Sequence, residues 1–158
     1  MGGVRSFLQE GRATDTRRCS LARAVGDTDN ARVPGRLRSL VLTGFKSYRE
    51  QRLEMQPVTL LVGRNGSGKS NALDALTLLS LLAEGRELRD LDRPDLEISG
   101  LRGGLLRAAP FDADVAEVAC KVELEDGSLV VLFVAVDVKR AEIVAEALVD
   151  EGDRALIT

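Results

Sequence analysis

Eight consecutive residues match the pattern G-x-x-x-x-G-K-[ST], which is typical of loops that bind phosphate. They are Gly63-Arg64-Asn65-Gly66-Ser67-Gly68-Lys69-Ser70. Glycines at the first, fourth and sixth places allow the backbone to curl, so that successive N–H groups point into one concave nest for phosphate oxygens. The pattern therefore predicts a site for a nucleotide di- or triphosphate.

Two side chains of this loop have a predicted chemical role. Lys69 carries a positive charge that can reach the β- and γ-phosphates, and the hydroxyl of Ser70 is the expected ligand of Mg²⁺. The pattern also predicts that a helix begins here. The unpaired N–H groups and the positive dipole end of that helix favour the same anion.

A phosphate loop of this kind connects a buried strand to a helix, and both elements are predicted here. The apolar, β-branched run Val58–Val62 stands between Pro57 and Gly63, and it predicts a central strand. From Asn71 to Glu84 the sequence is apolar on nearly every helical face, which predicts a buried helix.

The remaining segments complete an α/β chain whose last third is antiparallel. Strands are predicted at Leu37–Phe45 and Gln51–Met55, before the loop. In the last third, Asp126-Gly127 indicates a hairpin turn between Val115–Glu125 and Ser128–Val138, and Ala141–Val149 fits a third strand or a short helix. The predicted organisation is a disordered extension (1–36), a lobe with the strands, phosphate loop and first helix (37–85), a connection (86–110) and an antiparallel β-subdomain (111–158).

Composition narrows the classes of function. The chain has no histidine, and its two cysteines, Cys19 and Cys120, lie far apart, so the sequence offers neither a zinc site nor a histidine base. With 44% hydrophobic and 30% charged residues it is an ordinary globular sequence. The longest apolar run, Leu129–Val136, is too short to span a membrane, and a cytoplasmic location is the default expectation.

Together, three segments resemble a known family. They are Leu40-Val41-Leu42-Thr43-Gly44-Phe45-Lys46-Ser47-Tyr48, then Leu60 through the phosphate loop to Asn71, and Leu73-Asp74-Ala75-Leu76. This arrangement resembles the N-terminal lobe of the ABC-type head ATPases of the SMC, RecF and OLD-like group, which are P-loop NTPases. The likeness covers Leu37 to Glu84 most closely and extends loosely through the last third.

The resemblance implies ATP and Mg²⁺ as cofactors. It places Asn65 near the γ-phosphate or the attacking water and Lys46 beside the nucleotide. The other nucleotide-binding positions that it implies are Arg64, Ser67 and Asn71. In this family ATP joins two heads and hydrolysis releases them, so the resemblance implies a second lobe or a second head as partner, with DNA as a further partner. No membrane is expected as a partner, because the apolar runs are too short to span one.

Several motifs of a complete head are missing. No glutamine follows Gln56, and Ser99–Gly104 has signature-like letters in a connecting segment. Two apolar stretches, which end in Asp137 and in the pair Asp150-Glu151, are similar in composition to the strand that carries the catalytic carboxylates in this family. We therefore expect the chain to bind ATP without hydrolysing it, either as a truncated remnant or as half of a split enzyme.

Two other classes of function stay open at this point. One is a self-contained P-loop kinase or GTPase-like enzyme, in which Asp137 or Asp150 would be the carboxylate beside the metal. The chain lacks an N-K-x-D guanine motif and a succession of βα units after its first helix. The other class is a non-catalytic fragment or interaction domain that retains the loop alone.

Overall fold

Six strands and one α-helix form in the part of the chain that is described by this computed structural model, namely residues 35–92, 101–150 and 155–157. For residues 155–157 only the backbone is described. Of the predicted extension 1–36, all but the last two residues lie outside the described ranges. The elements are β1 (Arg36–Phe45), β2 (Tyr48–Glu54), α1 (Lys69–Ala83), β3 (Val115–Glu123), β4 (Leu129–Asp137), β5 (Glu142–Asp150) and β6 (Ala155–Ile157), with 3₁₀ turns at Leu88–Asp92 and Leu105–Arg107.

All six strands belong to one antiparallel sheet with the order β2-β1-β3-β4-β5-β6. A tight turn joins the first two strands, with Phe45 opposite Tyr48. β1 then pairs with β3, so strands from before the phosphate loop and strands from after α1 share one sheet. The division into segments 37–85 and 111–158 stays a prediction.

The last third confirms the predicted antiparallel meander. Asp126 and Gly127 form the turn between β3 and β4, where Gly127 has a φ of 82° and the Asp126 carboxylate accepts the backbone N–H of Ser128 at 2.9 Å. The segment that fitted either a strand or a short helix is strand β5. Its pairing with β4 satisfies the backbone groups that a short helix would leave open.

One face of the sheet packs against α1 and forms the main core. Alternate residues of β1, such as Leu40 and Leu42, point to this face, as the period of two requires. Helix residues at helical spacing, including Leu78 and Leu82, pack in the same cluster, and Leu73 lies on the exposed side. No helix in the described ranges is long and apolar enough to cross a lipid bilayer.

The predicted central strand Val58–Val62 is wrong. These residues form no strand, and Val58, Leu60 and Val62 are 89%, 83% and 83% exposed. The physical reason is that a strand needs a neighbour to pair its N–H and C=O groups, and none of the described strands runs beside this segment. An apolar composition shows only that a segment suits burial.

Candidate nucleotide site

The phosphate loop lies between this unpaired segment and the start of α1, and its residues 63–67 are exposed. Gly66 and Gly68 have φ values of 83° and 89°, in the left-handed region that favours glycine. Gly63 has no such angle. A Cβ at this position would instead lie 2.7 Å from the Ser67 hydroxyl oxygen, so this glycine permits a close approach. Arg64 and Asn65 lie on the open rim of the loop.

The ammonium group of Lys69 spans the mouth of the loop. Its Nζ donates to the carbonyl oxygens of Gly63 and Arg64, both at 2.7 Å, and lies 3.4 Å from Ser67 Oγ. Two of its three N–H donors are thus well bonded, and the third has only a long contact. No carboxylate among the described residues pairs with Lys69, so its charge is available to an anion.

The first turn of α1 has no cap of its own. Gly68 is the N-cap residue, it has no side chain to accept an N–H group, and the first turn contains no acidic residue. The backbone N–H groups at this end therefore have no side-chain acceptor within the helix. Together with the dipole of the helix and the charge of Lys69, they form a site suited to a phosphate group.

The turn between β1 and β2 holds the loop in place. The hydroxyl of Tyr48 donates to the carbonyl oxygen of Gly68 at 3.0 Å, and the amide of Asn71 donates to Ser47 Oγ at 2.9 Å. A Cβ on Gly68 would lie 2.6 Å from the same Ser47 oxygen. This turn is therefore in direct contact with the junction of loop and helix. The side chain of Asn71 points to the turn.

Lys46 lies in this turn, and its ammonium group is bonded within the protein. It forms an ion pair with Asp74 of α1, with side chains only 9% and 7% exposed, and also donates to the carbonyl oxygen of Arg102 at 2.8 Å. Arg102 Nε donates to the other Asp74 oxygen at 2.9 Å. Burial opposes ionisation of Asp74, but hydrogen bonds from Arg102 and then Lys46 prevail and lower the pKa of its carboxyl group.

Asp74 and Arg102 are missing from the predicted site. A signal for Asp74 was available, because an aspartate within an otherwise apolar helix needs a partner if it is buried. Nothing in the sequence identified Arg102 as that partner, since the two residues are separated by a connecting segment without clear periodicity. Of the signature-like stretch Ser99–Gly104, the first two residues lie outside the described ranges.

The two candidate catalytic aspartates have different positions in the sheet. Asp137 ends β4, and its Oδ1 accepts the backbone N–H groups of Lys139 and Arg140, both at 3.0 Å. Its carboxylate therefore stabilises the turn between β4 and β5. Such a role accounts for the residue without any metal.

Asp150 lies at the far end of the sheet. Through the strand register it shares a row with Leu37, whereas the turn that contacts the phosphate loop begins after Phe45. At about 3.3 Å per residue, these rows lie roughly 26 Å apart. This carboxylate is therefore too distant to share a metal ion with Ser70. Its neighbour Glu151 lies outside the described residues.

The residues present fit a magnesium ion that is bound mostly through a nucleotide. No three acidic, cysteine or histidine side chains within the described ranges are grouped to hold a metal by themselves. Mg²⁺ commonly takes one or two protein ligands and completes its shell with phosphates and waters. Ser70 is exposed at the start of α1, where its hydroxyl could be such a ligand.

Comparison with known proteins gives a consistent result. The RecF/RecN/SMC N-terminal domain family matches residues 36–150. The DNA replication and repair protein RecF of Cyanothece sp. is 45% identical over 73 residues, which are 46% of this chain and 19% of that protein. RecF of Acidothermus cellulolyticus is 41% identical over 83 residues, 50% of this chain and 22% of that protein.

A solved structure has the same fold. It is described as the recombination mediator protein RecF with ATP in the RecFOR pathway, and it superposes with a TM-score of 0.50 at 23% identity. The match covers 83% of this chain and 30% of that one. The chain thus spans about a fifth of the length of the curated relatives that it matches. From the family match over residues 36–150, the chain belongs to the RecF/RecN/SMC N-terminal domain family.

Proposed function

We propose that this chain binds Mg-ATP at residues 63–70, as the N-terminal part of a RecF/SMC-like ATPase head. The observation that carries the proposal is the position of the Lys69 ammonium across the loop mouth, at the start of a helix without a side-chain cap. A helix start without a side-chain cap, the positive end of the helix dipole and a cation without a carboxylate partner lie together there. These groups suit a polyphosphate and offer little to an uncharged ligand.

Isothermal titration of Mg-ATP into the wild-type chain and Lys69→Ala tests this proposal. A hydrogen bond to a charged group contributes about 1.5–3 kcal/mol, so the variant should bind roughly 10- to 150-fold more weakly. Lys139→Ala is the matched control, because it removes the same group from an exposed pair with Asp114. Unchanged affinity in Lys69→Ala, or equal losses in both variants, would refute the assignment.

Hydrolysis should depend on a second lobe that is supplied from elsewhere. Val58, Leu60 and Val62 present an apolar edge that no described strand pairs with. The curated relatives are about five times as long as the part matched here. We therefore infer that a strand of the missing lobe pairs with residues 58–62 and brings the catalytic carboxylate to the loop.

Phosphate release by the isolated chain tests the need for this lobe. We expect no turnover above background, and Asp150→Asn should change nothing. Turnover that depends on Asp150 would instead support a self-contained kinase or GTPase-like enzyme. The position of Asp150 at the far end of the sheet argues against that alternative. A folded chain that binds no nucleotide would favour a non-catalytic fragment.

The identity of the nucleobase and the biological process are inferred from the family. The relatives are called DNA replication and repair proteins, and the solved neighbour is described with ATP, which supports ATP over GTP and a role in DNA maintenance. Competition between ATP and GTP in the same titration tests the first point. Equal affinities would remove the preference for adenine while leaving the phosphate site in place.

A further inference from the structure

The first turn of α1 needs support from outside the helix. Its N-cap residue, Gly68, offers no side-chain acceptor, and the turn has no acidic residue that would interact with the dipole. This arrangement leaves the backbone N–H groups at the start of the helix without a side-chain acceptor. It also leaves the turn without the interactions that usually hold a helix start in place.

Arg102 contacts this turn at two points. Its Nε donates to Asp74 Oδ1 at 2.9 Å, and its Nη2 donates to the backbone carbonyl oxygen of Ser70. Residues 70 and 74 lie one helical turn apart on the same face. A single planar guanidinium therefore bridges Ser70, which directly follows Lys69, and Asp74 one helical turn later.

The backbone of Arg102 is in turn fixed to the β1–β2 turn. Its carbonyl oxygen accepts the ammonium group of Lys46 at 2.8 Å, and the backbone N–H of Lys46 donates to the Ala108 carbonyl oxygen at 2.7 Å. The side chain of Arg102 is nevertheless 58% exposed. It contributes little to the core, so its contacts with the helix can be removed without opening the fold.

We propose that Arg102 is a positioning residue of the phosphate loop. By holding Ser70 and Asp74, it fixes the first turn of α1 so that the loop amides and Lys69 face one ligand. This inference rests on the proposed function, because the ligand is the phosphate chain of ATP. Arg102 itself acts through the helix and does not touch the nucleotide.

Three variants separate positioning from simple loss of charge. Arg102→Ala removes both contacts. Arg102→Lys keeps the charge but reaches only one of the two acceptors. Arg107→Ala is the matched control, because it removes an exposed arginine from the same segment. Each is examined by titration with Mg-ATP and, without nucleotide, by hydrogen exchange of the amides of residues 71–74.

We expect Arg102→Ala to lose about tenfold in affinity, the low end for partners that orient a metal ligand. Exchange at residues 71–74 should accelerate several-fold. The midpoint of thermal unfolding should fall below that of Arg107→Ala, because the buried Asp74 Oδ1 loses its hydrogen bond, but it should stay above the temperature of the titration. Arg102→Lys should fall between wild type and Arg102→Ala in both measurements. Arg107→Ala should match wild type.

The outcomes distinguish this inference from the proposed function. If wild type fails to bind ATP while Arg102→Ala still accelerates exchange, the proposed function fails and the role of Arg102 in holding the turn stands. Unchanged exchange in Arg102→Ala overturns the inference whatever the affinities are. If wild type binds Mg-ATP, accelerated exchange with unchanged affinity in Arg102→Ala also overturns it, because the contact would then be structural only.

Discussion

Replacing Asp74 with alanine should destabilise the chain by about 3 kcal/mol. The side chains of Asp74 and Lys46 are 7% and 9% exposed, so the variant leaves a buried ammonium group without its counter-ion. Breaking a buried pair in this way costs about 3–5 kcal/mol. The lower end applies here, because the Arg102 carbonyl oxygen still accepts from Lys46 Nζ at 2.8 Å.

Urea unfolding followed by far-ultraviolet circular dichroism measures this change. Asp112→Ala is the control, because it breaks a pair with Arg49 in which the side chains are 60% and 70% exposed. Such exposed pairs contribute little to stability. A loss in Asp74→Ala below about 1 kcal/mol, or no greater than in Asp112→Ala, would refute the reasoning. The double variant Lys46→Met/Asp74→Leu should recover part of the loss, because it removes both charges.

The same pair predicts a dependence on pH. Burial alone would raise the pKa of Asp74 in the folded chain, but hydrogen bonds from Arg102 and Lys46 outweigh this effect and lower the pKa. Its contribution to stability is therefore complete above the ordinary value of 3.8 and is lost as the pH falls through the lower folded pKa. Wild type should thus lose more stability than Asp74→Asn when the pH is lowered from about 5 to below 3. Parallel losses would contradict this assignment.

Two further predictions concern the loop contact and the buried thiol. Tyr48→Phe removes the hydroxyl that donates to the Gly68 carbonyl oxygen. This variant should bind Mg-ATP about fivefold more weakly, as expected for the loss of one hydrogen bond of about 1 kcal/mol. An affinity equal to that of wild type in the titration would contradict this. Burial raises the pKa of the Cys120 thiol to about 11. In a Cys19→Ser variant, alkylation of Cys120 by iodoacetamide at pH 8 should therefore be slow until urea unfolds the chain. Rapid labelling of the folded chain, measured by mass spectrometry, would contradict the burial.

The sequence predicted those features that depend on neighbouring residues. The loop and helix follow from glycines and a lysine at fixed spacing, and α1 begins at Lys69, close to the expected start. The meander follows from alternation and from the turn at Asp126-Gly127. In each case the residues that determine the conformation are close together in the chain, so their pattern is visible without a structure.

Features that depend on distant residues could not be predicted in this way. The run Val58–Val62 has the composition of a central strand, but pairing requires a neighbour, and no described strand lies beside it. Arg102 bonds to Asp74, which lies 28 residues earlier, and no spacing rule connects them. Lys46 was expected beside the nucleotide from family likeness, and its observed pairing with Asp74 concerns the helix.

The unpaired segment at residues 58–62 affects the solubility of the isolated chain. The side chains of Val58, Leu60 and Val62 face water, and no described strand pairs with this segment, so it resembles an uncovered sheet edge. Such edges cause association between copies at high protein concentration. A lysine in place of Leu60 would discourage that association, but the same charge would obstruct the lobe that we expect to cover this edge. Solubility of the isolated chain and assembly of the complete head therefore place opposite demands on the same few residues.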